Sequence, residues 1–263
     1  MRTLGAVLLV VATAGCLGEP VQGPPAVAQY LWGLEVCQYV IAVMTLPRER
    51  LLPLLPEGFE PRPARASLPG AEMGELHADA YNCAKGTALD GGRLGDVDYG
   101  SFYVPVDPPV ALREPGYGAY FVKLDFILAD GLRAPMLQEA GLPVHGGEAT
   151  VSSPDGVHWR AILDMSTAGK FVFEGVAGPP QAQEGPLPFI EHSPLTGGGL
   201  ALWHARLHDA TFATGIGTIQ LQGPMAEVAG APSLPATFSA GTWNLDEADL
   251  TFPIAWPLTD PIH

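Results

Sequence analysis

Tyr117-Gly118-Ala119-Tyr120-Phe121-Val122-Lys123-Leu124-Asp125-Phe126-Ile127-Leu128-Ala129 is the stretch that decides the fold class. Side chains alternate across a strand, so Tyr120, Val122, Leu124 and Phe126 share one face, and Phe121, Lys123, Asp125 and Ile127 share the other. On this reading Lys123 and Asp125 sit side by side as a plain ion pair. Residues 99–106 alternate in the same way, and three more strand-like runs follow at 146–152, 157–165 and 169–176. Upstream, Glu35 to Met44 is short, apolar and rich in Val and Ile, which predicts a first strand. Pro47 stands where a helix accepts proline, and Pro53 and Pro56 keep that helix short.

Between these elements, Met73 to Tyr81 precedes a Gly-rich connection from Lys85 to Gly95. Asp130 caps a short helix through Leu132, Met136 and Leu137 that ends at Gly141. Residues 177–198 read as a surface loop, 199–212 and 215–222 as paired strands, and Pro224 as the start of a helix over Met225 to Val228. Leu250-Thr251-Phe252 adds a last strand. No linker or repeat divides residues 30–263, so they are expected to form one α+β domain around a mostly antiparallel, strongly curved sheet with a few short helices.

Composition agrees. Of 263 residues, 47% are hydrophobic and 16% charged, and the 32 Gly and 27 Pro are dispersed between apolar runs. That combination supports a large core and many turns, and it opposes disorder. Thirteen Lys and Arg against 28 Asp and Glu leave a net charge of −15. Such a balance disfavours wrapping a phosphate backbone, so nucleic acid is excluded as a partner.

Residues 1–15 read as a lipoprotein signal peptide. Arg2 is the basic head, Leu4 to Ala12 the apolar core, and Thr13-Ala14-Gly15-Cys16 the cleavage and lipidation site. The apolar run is too short to cross a hydrocarbon core of about 30 Å. An ordinary secretory signal with an incidental cysteine is the alternative. Acylated Cys16 would hold the protein to the cell membrane with its domain outside the cytoplasm, stably if more than one chain is attached. Residues 16–29 would then be a tether. Cys37 and Cys83 remain as a candidate disulfide, with two buried thiols as the other reading.

Several segments resemble acetoacetate decarboxylase-like proteins. They are Leu46-Pro47-Arg48-Glu49-Arg50-Leu51-Leu52-Pro53-Leu54-Leu55-Pro56-Glu57-Gly58-Phe59, Pro108-Pro109 with the strand Tyr117 to Ala129, and Gly215-Ile216-Gly217-Thr218-Ile219-Gln220-Leu221-Gln222-Gly223-Pro224-Met225. The resemblance implies a cone-like barrel enclosing a cavity, in which a lysine forms a Schiff base with a keto acid. Glu139-Ala140-Gly141-Leu142-Pro143-Val144-His145-Gly146-Gly147 falls where the family places its catalytic Pro-Lys-Lys turn. Val144 and His145 stand there instead, and imidazole cannot form the iminium that decarboxylation uses as an electron sink. Imine chemistry would need Lys123 to enter the cavity from the neighbouring strand.

The candidate catalytic residues are therefore His145, Glu148 and Arg206. His145 is placed to act as a base in a turn where Gly146 and Gly147 permit close approach of a ligand, with Glu148 to orient it and Arg206 to clamp an anion. His204-x-Arg206-x-His208 points three polar side chains one way from a strand, which suits either a cavity or an ordinary solvated face. Arg113, in a constrained loop, and Lys123 complete the candidate ligand-binding set. The pattern calls for no metal and no cofactor. Three functions follow: an exported lipoprotein binding a small carboxylate or oxo compound without Schiff-base decarboxylation; a lyase, hydratase or cyclase using His145, Glu148 and Arg206; or a surface protein with a filled interior.

Overall fold

The computed structural model describes residues 32–65, 72–88, 93–94, 96–128, 133–166 and 168–254. The proposed leader, Cys16 and the tether lie outside them. So does the Asp130 cap, although the helix after it is present as Arg133–Glu139 and closes at Gly141, whose φ is +88°.

Among the described residues, fourteen strands form one sheet. They are β1 (Trp32–Pro47), β2 (Glu60–Pro61), β3 (Met73–Ala88), β4 (Arg93–Leu94), β5 (Val97–Asp107) and β6 (Tyr120–Leu128). After these come β7 (Val144–His145), β8 (Glu148–Ser152), β9 (His158–Asp164), β10 (Lys170–Ala177) and β11 (Gln181–Ala182). The last three are β12 (Leu187–Pro194), β13 (Leu200–Gln222) and β14 (Ser233–Ile254). Pairing runs β12-β6-β5-β3-β1-β14-β13, and β12 also pairs with β13, so the path returns on itself. β10, β9 and β8 continue from the far half of β13 as a flap. The described pairs are antiparallel except β12–β6 and β6–β7.

This geometry gives the sheet two working faces. The outward face of the first strands carries Val40, Ala42, Leu76, Ala78, Ala80 and Phe102, and it packs in one cluster with Val151, Leu163, Phe171 and Phe173 of the flap. Small side chains let the layers approach closely. A Cβ on Gly100 would lie 2.5 Å from Leu163 Cδ1. Leu163 is fully buried, and truncating it to Ala should cost about 2–5 kcal/mol. The second cluster, inside the curved sheet, includes Tyr39, Phe126, Trp203 and Trp243.

Three sequence expectations are corrected. Residues 199–212 and 215–222 do not pair with each other; they are halves of β13, and β14 pairs along both. Asp209, at φ +48°, lies in the register shift between His208 and Thr211 that bends the strand. The supposed loop 177–198 contains β11 and β12, the latter closing the circuit between β6 and β13. The expected Gly-rich connection after Tyr81 is in part the continuation of β3 to Ala88. Strand pairing outweighs local glycine content in all three, because each backbone N–H and C=O needs a partner.

Candidate functional site

The sequence of β3, Glu75-Leu76-His77-Ala78-Asp79-Ala80-Tyr81, alternates polar with small apolar residues. The usual inference would put the polar set in water. Here Leu76, Ala78 and Ala80 face the flap, while Glu75, His77, Asp79 and Tyr81 line a cavity of about 1570 Å³ within the curved sheet. Phe121, Phe189, Tyr103 and Trp243 supply aromatic wall, and Arg62 and Arg65 also border the space.

At one end the polar groups interlock. Asp79 Oδ1 accepts from the Ser101 amide at 2.5 Å and its hydroxyl at 2.8 Å, and Oδ2 accepts from the Tyr81 hydroxyl at 2.5 Å. Burial raises the Asp79 carboxyl to about 7, against the pull of those donors. Lys123 donates to Glu191 and to the Tyr99 hydroxyl, and its Nζ stands 4.8 Å from the Trp203 ring centroid, 5.0 Å from Tyr99 and 5.1 Å from Phe126. The side chain of Lys123 is 3% exposed and that of Glu191 13%. Glu191 lines the cavity, whereas Lys123 is held against it from beneath.

This overturns the expected Lys123–Asp125 pair. Tyr103 is opposite Lys123, and Phe102 is opposite Asp125, so Leu124 is an extra residue in β6. A bulge of one residue reverses every later side chain. Lys123 and Phe126 consequently share the inner face, and Asp125 turns outward to His145, whose Nε2 is 2.7 Å from Asp125 Oδ1.

The turn expected to carry catalysis is likewise turned about. Val144 is buried beside Phe126 and Trp203 in the inner cluster, and none of His145, Glu148 and Arg206 lines the cavity. Glu148 and Arg206 are exposed on β8 and β13. Gly147 serves close backbone packing rather than a ligand, because a Cβ there would lie 2.0 Å from the Asp164 carbonyl oxygen. The alternate face of β13 is largely occupied in local contacts: His204 Nε2 meets both Glu114 oxygens at 2.9 and 3.0 Å, and His208 Nδ1 lies 2.9 Å from Asp209. Arg113 donates from Nε to the Pro108 carbonyl at 3.0 Å. Cys37 and Cys83 are joined in a disulfide across β1 and β3. Among the described residues no three His, Cys, Asp or Glu side chains group to hold a metal ion.

The geometry defines an acetoacetate decarboxylase-like fold. No protein-family model matches the sequence, and no curated protein matches it. Solved structures do. The enduracididine biosynthesis enzyme MppR complexed with pyruvate is similar at TM-score 0.54 and 15% identity, over 88% of this chain and 91% of that one. An acetoacetate decarboxylase-like enzyme from Sphingomonas wittichii RW1 gives 0.54 and 12%, over 86% and 94%. Acetoacetate decarboxylase from Legionella pneumophila gives 0.51 and 14%, over 94% and 96%. At these identities the likeness concerns the fold.

Proposed function

We propose that this chain is an exported lipoprotein whose cavity binds a small organic carboxylate or oxo compound without decarboxylating it. The observation that carries the reading is the cavity itself, large, aromatic-walled and set with a few converging polar groups. One neighbour in the same fold is complexed with pyruvate, a compound of that class. Arg65, bordering the cavity, is available to an anionic end group. Cys16 would carry the lipid, and the Cys37–Cys83 disulfide suits an oxidising compartment outside the cytoplasm.

Lys123 is held away from Schiff-base chemistry. An imine needs an amine free to meet a carbonyl, and the Lys123 side chain is instead engaged by Glu191 and the Tyr99 hydroxyl. A carbonyl group would also have to pass Glu191 to reach it. The test has two parts. Calorimetry with pyruvate, acetoacetate and simple carboxylates should detect binding that weakens in R65A, while borohydride with each oxo acid should leave no adduct on any lysine and acetoacetate should release no carbon dioxide above background. Carbon dioxide release together with a Lys123 adduct would overturn the reading. Labelling cells with an alkyne fatty acid should tag the protein, and C16S should lose the tag.

A further inference from the structure

Glu75 and His77 form a carboxylate–imidazole dyad on the cavity wall. His77 Nε2 is 3.0 Å from Glu75 Oε2, and an ionised carboxylate only accepts, so Nε2 carries the proton and Nδ1 the lone pair. Nδ1 has no hydrogen-bond partner among the described residues. Glu75 is fixed in turn, since its Oε1 accepts from the Arg65 amide at 3.0 Å. The ring is boxed by Tyr103, whose centroid is 5.0 Å away, and by Phe121 at 6.4 Å. Desolvation holds His77 below the ordinary imidazole range, and the hydrogen bond from His77 holds Glu75 below the ordinary carboxylate range. The dyad is therefore a neutral base backed by an anion at neutral pH. Directly across the strand pair, Tyr103 lines the same cavity, and burial keeps its phenol protonated.

We propose that His77 is a general base, positioned by Glu75, that removes the α-proton of an enolisable oxo acid while Tyr103 donates a hydrogen bond to the developing enolate oxygen. The proposal rests on the cavity being an oxo-acid site. In the step the C–H bond breaks and its proton passes to Nδ1. The electron pair becomes the C=C bond, and the carbonyl π pair moves to oxygen. Glu75 balances the imidazolium, and reversal returns a proton to carbon, so no oxidant or further reactant is required. The carboxylate of the same substrate would face Arg65.

The experiment follows deuterium uptake from D₂O by pyruvate, 2-oxobutyrate and levulinate, using proton NMR and the purified full chain in detergent. Binding of each acid is measured separately by saturation transfer. At least one acid should bind and exchange. H77A should keep binding and lose about 100-fold or more of the exchange, with partial rescue by added imidazole. E75Q should lower the rate and change its pH profile. The wild-type rate should stay level as pH falls through the ordinary imidazole range and drop only below it, in a field set by Glu75, Arg65, Asp79 and Tyr103. If none of the three acids binds, the cavity reading fails and this proposal with it. Binding without exchange overturns the proposal alone, as does exchange that survives in H77A or that depends on a borohydride-trappable lysine adduct.

Discussion

Replacing Lys123 with methionine isolates the energetics of the cavity's charged end. The substitution keeps an apolar stem of similar length among Tyr99, Phe126 and Trp203 but strands Glu191, whose side chain is 13% exposed. An unpaired carboxylate there relieves itself by taking a proton, which caps the penalty. Against an ordinary Glu pKa of about 4.3, protonation costs about 4 kcal/mol at pH 7 and about 1 kcal/mol at pH 5. Asp79 loses the lowering influence of Lys123 and, once Glu191 takes a proton, the larger raising influence of that carboxylate, so Asp79 adds nothing to the penalty. Urea denaturation of wild type and K123M at both pH values should therefore show a destabilisation several times larger at pH 7. K123M/E191Q should remove most of that pH dependence. A penalty below about 1 kcal/mol at pH 7, or one equal at the two pH values, would refute the claim that the pair is buried and charged.

Three further outcomes are expected. Burial depresses His192 to about 4, so the unfolded chain binds its proton first as pH falls from about 6.5; roughly 3 kcal/mol of stability present above that range is lost on acidification to about pH 4, and H192L should flatten this part of the pH–stability curve. Reducing Cys37–Cys83, or replacing both with Ala, opens a loop spanning a sequence separation of 46 and should lower stability by about 4 kcal/mol by chain-entropy arithmetic, read as a shift in urea midpoint. G147A should cost about 1–3 kcal/mol in the same assay, because its Cβ meets the Asp164 carbonyl rather than a movable side chain, whereas G146A, with nothing within 4 Å, should change little.

Much of the architecture was legible from period and punctuation. Pro47, Gly141 and Pro224 bound or cap their helices as their chemistry dictates, and the alternation of residues 99–106 and 157–165 matches β5 and β9. The site was less legible, for two physical reasons. Alternation in β6 is interrupted at Leu124, and no local signal marks a bulge whose existence depends on the partner strand. In β3 the pattern was plain, but its direction was not: polar residues face inward because the opposite, alanine-bearing face is needed to seat a second layer. Glu75, His77 and Asp79 were therefore discoverable only as a face, without a statement of which way it points. His145 drew notice from its turn, yet register places it outside, against Asp125.

β13 and β14 run unbroken from the cavity circuit into the flap, paired along nearly their whole length. Opening the β13–β14 ladder would loosen both halves together, whereas β10, β9 and β8 are joined to it through the β10–β13 pairing. Amide protons in the two halves of these strands should accordingly exchange through one shared opening event, which a ligand seated in the cavity should slow along the whole length of both.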